Sequence, residues 1–540
     1  MNNTKKYETL LWMYQQFGGT KKKWKTLVHN GVIFPPNYIK HNTPIYYNNQ
    51  PIILDELSEE YATYYAKYLD STYITTKFNK NFWNDWKQIL NKNPNNIIKE
   101  FDKIDFSKIK NYLIKAKEDK KLNKMSNSDT SKDTENKYAY AYIDGKKEPV
   151  GNYRVEPPGI FLGRGNHPKS GCIKKRIYPE DITLNLDKTA PIPETLSGHK
   201  WNDIIHDRTV DWLASWKDDI TGKTKYVWLG AQSSNKGEKD MLKFNMARKL
   251  KKVIKDIREK NIENLNSSDI MLKQISIALY LIDTFALRVG NEKSSDEADT
   301  VGVASLRVEH ITMLDNKHIK LDFLGKDSIR YTNVSPVMPI IYTNLGIFIK
   351  NKNPEDPIFD YITSADINKY LQTFMKDLTA KVFRTYNASY LFSKELRKIT
   401  NKYTNYEELN KEKLLLEEYN KANIKVAKLC NHQKAISGSH ETQIKKINDE
   451  IAKLKTELGH NITSDKRKKI KNKISILKAK KNMKSELKNI SLGTSKINYI
   501  DPRITIAFIK QNGLDINKYF TKTLQNKFKW AMDTSPDYKF

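Results

Sequence analysis

Two thin apolar stripes in a lysine-rich stretch constrain the folding of this chain more than any other feature. Ile444, Ile447, Ile451, Leu454 and Leu458 recur at spacings of three and four, Gly459-His460-Asn461 interrupt them, and Ile470, Ile474 and Leu477 resume the same spacing. That period lines the apolar side chains along one side of a helix. Each stripe is too narrow to found a globular core, so the two helices are expected to fold back on each other as an antiparallel coiled coil. The rest of both segments is heavily charged, so the pair is expected to stand out into solvent.

The remaining segments read as compact structure. Residues 1 to about 116 hold aromatics among lysines, including Trp24, Trp83 and Trp86, with a turn at Phe34-Pro35-Pro36. The polar stretch from Glu118 to Lys137 has little to bury and reads as a loop or insertion. Residues 138–240 mix short strand-like runs with turns, and Tyr226-Val227-Trp228-Leu229 reads as a strand. From about 240 the pattern turns helical: Met241 to Arg258 is basic and amphipathic, and Ile275 to Val289 is apolar with Arg288 at its end. IKLDFLG and SIRY, spanning Ile319 to Tyr331, predict a β-hairpin turning at Gly325-Lys326-Asp327. Residues 364–432 read as several helices, with start signals at Ser364 and Asn387, and the last fifty residues return to compact character.

Charge narrows the partners. Lys and Arg total 94 against 63 Asp and Glu, a formal net charge of +31, which points to a polyanion and first to nucleic acid. The competing explanation is a set of solubility lysines in a Lys- and Asn-rich proteome. Only Cys172 and Cys430 occur, so no disulfide framework or cysteine metal cluster is expected, and a reducing compartment fits. The amino-terminal stretch lacks a signal peptide's apolar core, and runs such as Ile277 to Ile282 are too short to cross a bilayer. A soluble, intracellular protein without membrane contact is expected.

No GxxxxGK[ST] loop, HExxH or paired CxxC is present, and no short DxD run suggests two-metal phosphoryl transfer. A DNA-acting enzyme of this kind would stabilise a phosphorane with protein cations and attack with a side chain. Attention then falls on Arg288 in ALRVGNEK, Lys326 in FLGKDSIRY, Arg384 in TAKVFRTYNAS, His432 after Cys430-Asn431, and Tyr499. Taken singly they carry little. Among 94 basic residues any one is by default a surface charge, His432 a helix-end histidine, and Tyr499 one of 30 tyrosines packing a core. The residues alone reach a basic, intracellular, DNA-binding protein and no further.

Read together, the segments resemble the eukaryotic type IB topoisomerases. The resemblance runs in order through KKWKTLVHNGVIFPP (22–36), TTKFNKNFWNDW (75–86), EPPGIFLGRGNHPKSG (156–171), GHKWNDIIHD (198–207) and KGEKDM (236–241). It continues through ALRVGNEK (286–293), ADTVGVASLRVEHI (298–311), DFLGKDSIRY (322–331), LTAKVFRTYNAS (378–389), LCNHQ (429–433) and LGTSKINYIDPRITIA (492–507). It implies an α+β multidomain fold. Residues 1–240 would form a mixed α/β DNA-clamping cap lobe. Residues 241–434 would form a mostly helical catalytic core of the tyrosine recombinase and type IB topoisomerase kind. Residues 435–490 would be the antiparallel coiled-coil linker, and 491–540 a small helical domain carrying the nucleophile.

The family's catalytic set then falls on Arg288, Lys326, Arg384, His432 and Tyr499, and its DNA contacts on Arg164, Lys236, Asp327 and Asn498. The implied reaction nicks one strand of duplex DNA through a 3′-phosphotyrosyl link, lets the free end swivel, and reseals it. Supercoils of either sign relax. An ordinary phenol, with a pKa of about 10, is a poor nucleophile, and two guanidiniums and a histidine around the phosphate would offset that. Lys326 would protonate the leaving 5′-oxygen. No cofactor is implied: no ATP, and divalent cations at most stimulatory. The implied partner is double-stranded DNA, clamped by a monomer.

Three departures stand out. The chain begins close to the conserved core, without the long charged tail and import signals of nuclear members. The expected location is therefore the nucleus for a cellular eukaryotic protein, and a viral factory or virion for one encoded by a large DNA virus. Leu162 stands in FLGRG where the family has arginine, and Lys434 to Gly438 replace a proline-bearing turn after His432. The alternatives are a tyrosine recombinase and a catalytically silent DNA-binding protein of the same fold.

Overall fold

The computed structural model describes residues 22–122, 137–294, 296–406, 411–434, 440–460 and 463–540. Most of the polar stretch expected as an insertion, the turn at 435–439 and the helix break at Asn461 lie outside these residues. The chain divides into two compact units: Met1–Glu238 with Lys293–Asp299, and Lys239–Glu292 with Thr300–Phe540. Together they make a mixed α/β, multidomain protein.

The first unit has two cores. In one, helices α1 (Glu56–Ala66), α2 (Thr76–Leu90) and α3 (Ser107–Leu122) accompany a small sheet. That sheet, ordered β3-β2-β4, is made of β2 (Ile45–Tyr47), β3 (Gln50–Ile52) and β4 (Ile104–Asp105). Phe78, Phe82 and Trp86 recur every four residues along α2 and are fully buried, so the aromatics of this segment serve packing. Leu162 packs against the same core. The other core lies between β1 (Leu27–His29) paired with β5 (Tyr140–Ile143) and β6 (Lys146–Pro149), and a four-stranded sheet ordered β10-β9-β11-β12. The latter comprises β9 (Ile182–Asn185), β10 (Asp203–Ile205), β11 (Ala214–Lys217) and β12 (Thr224–Val227). A further pair, β7 (Gly159–Ile160) and β8 (Ile173–Lys174), joins the aromatic core. The expected strand at Tyr226 is therefore the end of β12, which stops at Val227.

The second unit is mainly helical. It takes up most of α4 (Ser234–Asn264) and α5 (Ile270–Thr284), then a three-stranded antiparallel sheet, β13 (Ile311–Leu314), β14 (His318–Gly325) and β15 (Ile329–Pro336). Helices α6 (Pro339–Ile349), α7 (Ser364–Gln372), α8 (Lys381–Lys402) and α9 (Lys411–Leu429) follow. The expected hairpin forms, with Gly325 opposite Ile329 and the turn at Lys326 to Ser328. The start signal at Ser364 also holds, with Thr363 as the capping residue.

Two expectations require correction. α5 ends at Thr284, not Val289: Ala286 adopts φ 49° and Gly290 φ 76°, which no helix accepts, so Arg288 sits on a loop. Asn387 starts no helix but lies inside α8, where its amide donates to the Asp283 carbonyl at 2.7 Å. A tertiary acceptor takes the side chain that would otherwise cap.

The lysine-rich segments form α10 (His440–Gly459) and α11 (Ser464–Glu486). Ile447, Ile451 and Leu454 pack against Ile470, Ile474 and Leu477 in a separate small core. Glu457 pairs with Lys466 and Glu450 with Lys473, while Lys484 donates to Gln443, so the helices run in opposite directions. The chain then enters α12 (Leu492–Asn498), α13 (Pro502–Gln511) and α14 (Lys522–Lys527). Among the described residues no helix is long and apolar enough to cross a membrane.

Candidate active site

Three segments of the second unit meet at one buried arginine. Arg384 projects from α8 and is only 5% exposed. Its Nη1 donates to the Ala286 carbonyl at 2.5 Å and its Nη2 to the Cys430 carbonyl at 2.8 Å. Both acceptors lie at left-handed turns, Ala286 itself at φ 49° and Asn431 at φ 50° directly after Cys430. Such conformations are costly for residues with a Cβ and persist where tertiary contacts enforce them. Arg384 Nε is buried without a hydrogen-bond partner.

His432 lies beside it, 4% exposed, with Nε2 at 3.3 Å from Arg384 Nη2 and Nδ1 at 2.7 Å from Ser495 Oγ. Burial, helped by the charges of Arg384 and Arg288, lowers its pKa to about 3, so the ring is neutral at physiological pH. Its backbone is fixed at both ends: the amide donates to Ala427 O and the carbonyl accepts from Ser491 N, each at 2.8 Å.

Tyr499 comes from the far end of the chain, as the residue that ends α12. Its ring stacks on His432 at 5.0 Å between centroids and faces the Arg384 guanidinium at 4.9 Å. Arg288 interacts electrostatically with the Tyr499 side chain, while burial together with the Arg384 charge holds Arg288 below the usual arginine range. Ser389 Oγ donates to the Tyr499 carbonyl at 2.9 Å and itself accepts from Asp501 N at 3.0 Å. Asp501 is fully buried, paired with Arg503 at 2.7 Å and bonded by Tyr538 OH at 2.9 Å. The nucleophile candidate is thus locked by its neighbours on the chain.

Lys326 stands exposed on the hairpin turn, at the rim of a cleft that Arg288, Arg384, His432 and Asp327 also line. The turn is tethered to the histidine segment, because the Arg330 carbonyl accepts from Asn431 Nδ2 and Gln433 Nε2, both at 3.2 Å. Asp327 occupies the left-handed region at φ 67°. Asn498 is exposed next to Tyr499, its amide on Thr494 O at 3.3 Å. Arg164 and Lys236 belong to the first unit. Arg164 is exposed between Gly163 and Gly165, both at positive φ, and the Lys236 ammonium lies 5.0 Å above the Trp228 ring.

The structure therefore brings Arg288, Arg384, His432 and Tyr499 into contact, with Lys326 at the edge of the same cleft. Sequence reasoning missed Ser389 and Ser495. Their one trace was the short spacing from Ser495 to Tyr499. The arrangement offers two guanidiniums and a neutral imidazole around a phenol, a setting that receives an anion and stabilises added negative charge. Among the described residues no group of His, Cys, Asp and Glu is placed to hold a metal ion.

A fold and site of this kind define a tyrosine-bearing, anion-directed centre in a mixed α/β protein. Comparison with known families is more specific. Residues 22–229 match the DNA-binding fragment of eukaryotic DNA topoisomerase I, residues 232–465 its catalytic core, and residues 471–540 a C-terminal topoisomerase domain. DNA topoisomerase 1 of Homo sapiens is 40% identical over 96% of this chain and 72% of its own length. That of Candidozyma auris is 39% identical over 97% and 84%. DNA topoisomerase 1 alpha of Arabidopsis thaliana is 43% identical over 99% of the chain, which spans 61% of that relative. The chain belongs to the eukaryotic DNA topoisomerase I family.

Proposed function

We propose that the protein is a type IB DNA topoisomerase. The supporting observation is the Tyr499 ring set against His432 and Arg384, beside a cleft that Arg288 also lines. Tyr499 attacks a phosphate of duplex DNA: its phenolic proton passes to solvent, its oxygen bonds to phosphorus, and the 5′-oxygen departs with a proton from Lys326. Arg288 and Arg384 hold the non-bridging oxygens, where planar guanidiniums bind bidentately. His432 donates to one of those oxygens. The 3′-phosphotyrosyl ester conserves the bond energy, so the 5′-hydroxyl reverses the step after the free strand rotates. The chemistry needs neither ATP nor a metal ion, and divalent cations at most stimulate it.

Within this reading residues 1–240 are the DNA-gripping cap lobe and 241–434 the catalytic core. Residues 435–490 are a coiled-coil linker and 491–540 the carrier of the nucleophile. Arg164, Lys236, Asp327 and Asn498 contact DNA, mainly at phosphates, so binding weakens steeply with salt. The enzyme acts as a monomer. It works in the nucleus if its host is a cellular eukaryote, and in a viral factory or virion if a large DNA virus encodes it.

A supercoiled plasmid incubated with EDTA and without ATP tests the proposal. The wild type should relax it fully, and Tyr499→Phe should bind DNA without relaxing it. Arg384→Ala should be slower by roughly a hundredfold or more, the usual loss when one transition-state donor is removed. Equal gel shifts without relaxation by either protein would select a silent DNA-binding protein. Strand exchange between specific sites would select a recombinase.

A further inference from the structure

His432 has a proton-placement problem that the fold answers with Ser495. The ring is buried and neutral, so it carries one N–H. Its Nε2 faces Arg384 Nη2 at 3.3 Å, and a guanidinium donates only. In this state Nε2 must accept, and the proton sits on Nδ1, donated to Ser495 Oγ at 2.7 Å. To donate to a phosphate oxygen from Nε2, the ring must carry its proton on the other nitrogen. Nδ1 then needs a donor. A serine hydroxyl meets both demands, since it accepts in one state and donates in the other. A carboxylate there would fix the Nδ1–H form, and an alanine would leave a buried nitrogen unsatisfied.

Ser495 has a second hold on the site. Its carbonyl accepts from the amides of Tyr499 and Ile500, both at 3.0 Å. It is fully buried, so its hydroxyl is committed to the ring and not to solvent. We infer that Ser495 is a positioning residue that sets the His432 tautomer: it accepts from the ring before DNA arrives and donates to it once phosphate occupies the cleft. The inference rests on the topoisomerase reading above and adds a residue to it.

The test measures single-turnover cleavage of a nicking substrate by the wild type, Ser495→Ala, Ser495→Thr, His432→Ala and the double variant His432→Ala with Ser495→Ala. Ser495→Ala should cleave about tenfold more slowly with unchanged DNA affinity, the scale of one lost buried hydrogen bond. Ser495→Thr, which keeps a hydroxyl, should restore most of the rate. In the His432→Ala background the serine substitution should cost nothing more, because its effect passes through the ring. A packing role would slow both backgrounds equally, and that result overturns the inference, as does a full-rate Ser495→Ala. If Ser495→Ala unfolds early, Ser495→Cys carries the test: a weak S–H donor should lose rate while the protein stays folded, and full rate overturns the inference. A wild type unable to cleave removes the topoisomerase reading as well.

Discussion

Arg384 keeps its charge available because its fixed partners are neutral. Two carbonyls and an uncharged imidazole hold it in place. An arginine tied to carboxylates, as Arg503 is to Asp501, would already be neutralised. The same burial shapes the titration of His432. Its folded pKa of about 3 lies below the value near 6.5 of an unfolded histidine. A depressed folded pKa means stability is intact above about 6.5 and falls as pH drops toward 3, because only the unfolded chain takes up the proton in that window. Between pH 7 and 5 the wild type should lose about 2 kcal/mol more than His432→Gln, read from denaturant midpoints at each pH. Parallel losses would contradict a buried neutral ring. None of this was legible residue by residue. Arg288, Arg384 and His432 share no local signal, and their types became meaningful only through the ordered resemblance of whole segments. Ser495 left only its short spacing from Tyr499, because a serine on a short helix resembles any other.

At the scale of elements, what was legible had a period or a turn. The stripes of α10 and α11 and the alternation of β14 and β15 are set by side chains a few residues apart. The misread boundaries were those decided elsewhere in the fold. α5 stops because the following loop must deliver Ala286 O to Arg384, and Asn387 is claimed by Asp283 across a helix interface. The Arg288 loop depends on a similar long-range fit. It returns past Gly290 against Gly302, with Val303 N donating to Arg288 O at 2.9 Å. A Cβ on Gly302 would lie 2.5 Å from Gly290 N and 2.8 Å from Arg288 O. Gly302→Ala should therefore destabilise the second unit by about 1–3 kcal/mol through overpacking. It should also slow DNA cleavage more than it weakens DNA binding, since the shift falls on Arg288. Thermal melting together with a cleavage time course reads both. An unchanged rate would show that the loop relaxes without moving the arginine.

Across the whole molecule, the site depends on a chain excursion that closes on itself. Gln433 pairs with Ile490, Lys434 N donates to Asn489 O at 2.8 Å, and Ser491 N reaches His432 O. The helical pair therefore leaves and re-enters at His432, and the returning chain passes directly into Ser495 and Tyr499. The sequence pattern predicted the helical pair but not this closure, which is made by backbone groups at no marked residues. The closure explains how a residue from the far end of the chain meets an arginine loop formed much earlier.

The most direct measurement is to trap that residue on DNA. An end-labelled duplex with a suicide nick downstream of the cleavage position should yield a covalent protein–DNA adduct in EDTA. Digestion and mass spectrometry should place the link on Tyr499, joined to the 3′-phosphate, with a free 5′-hydroxyl on the other strand end. A link to another side chain, a 5′-phosphodiester, or no adduct from a protein that still binds the duplex would contradict the account.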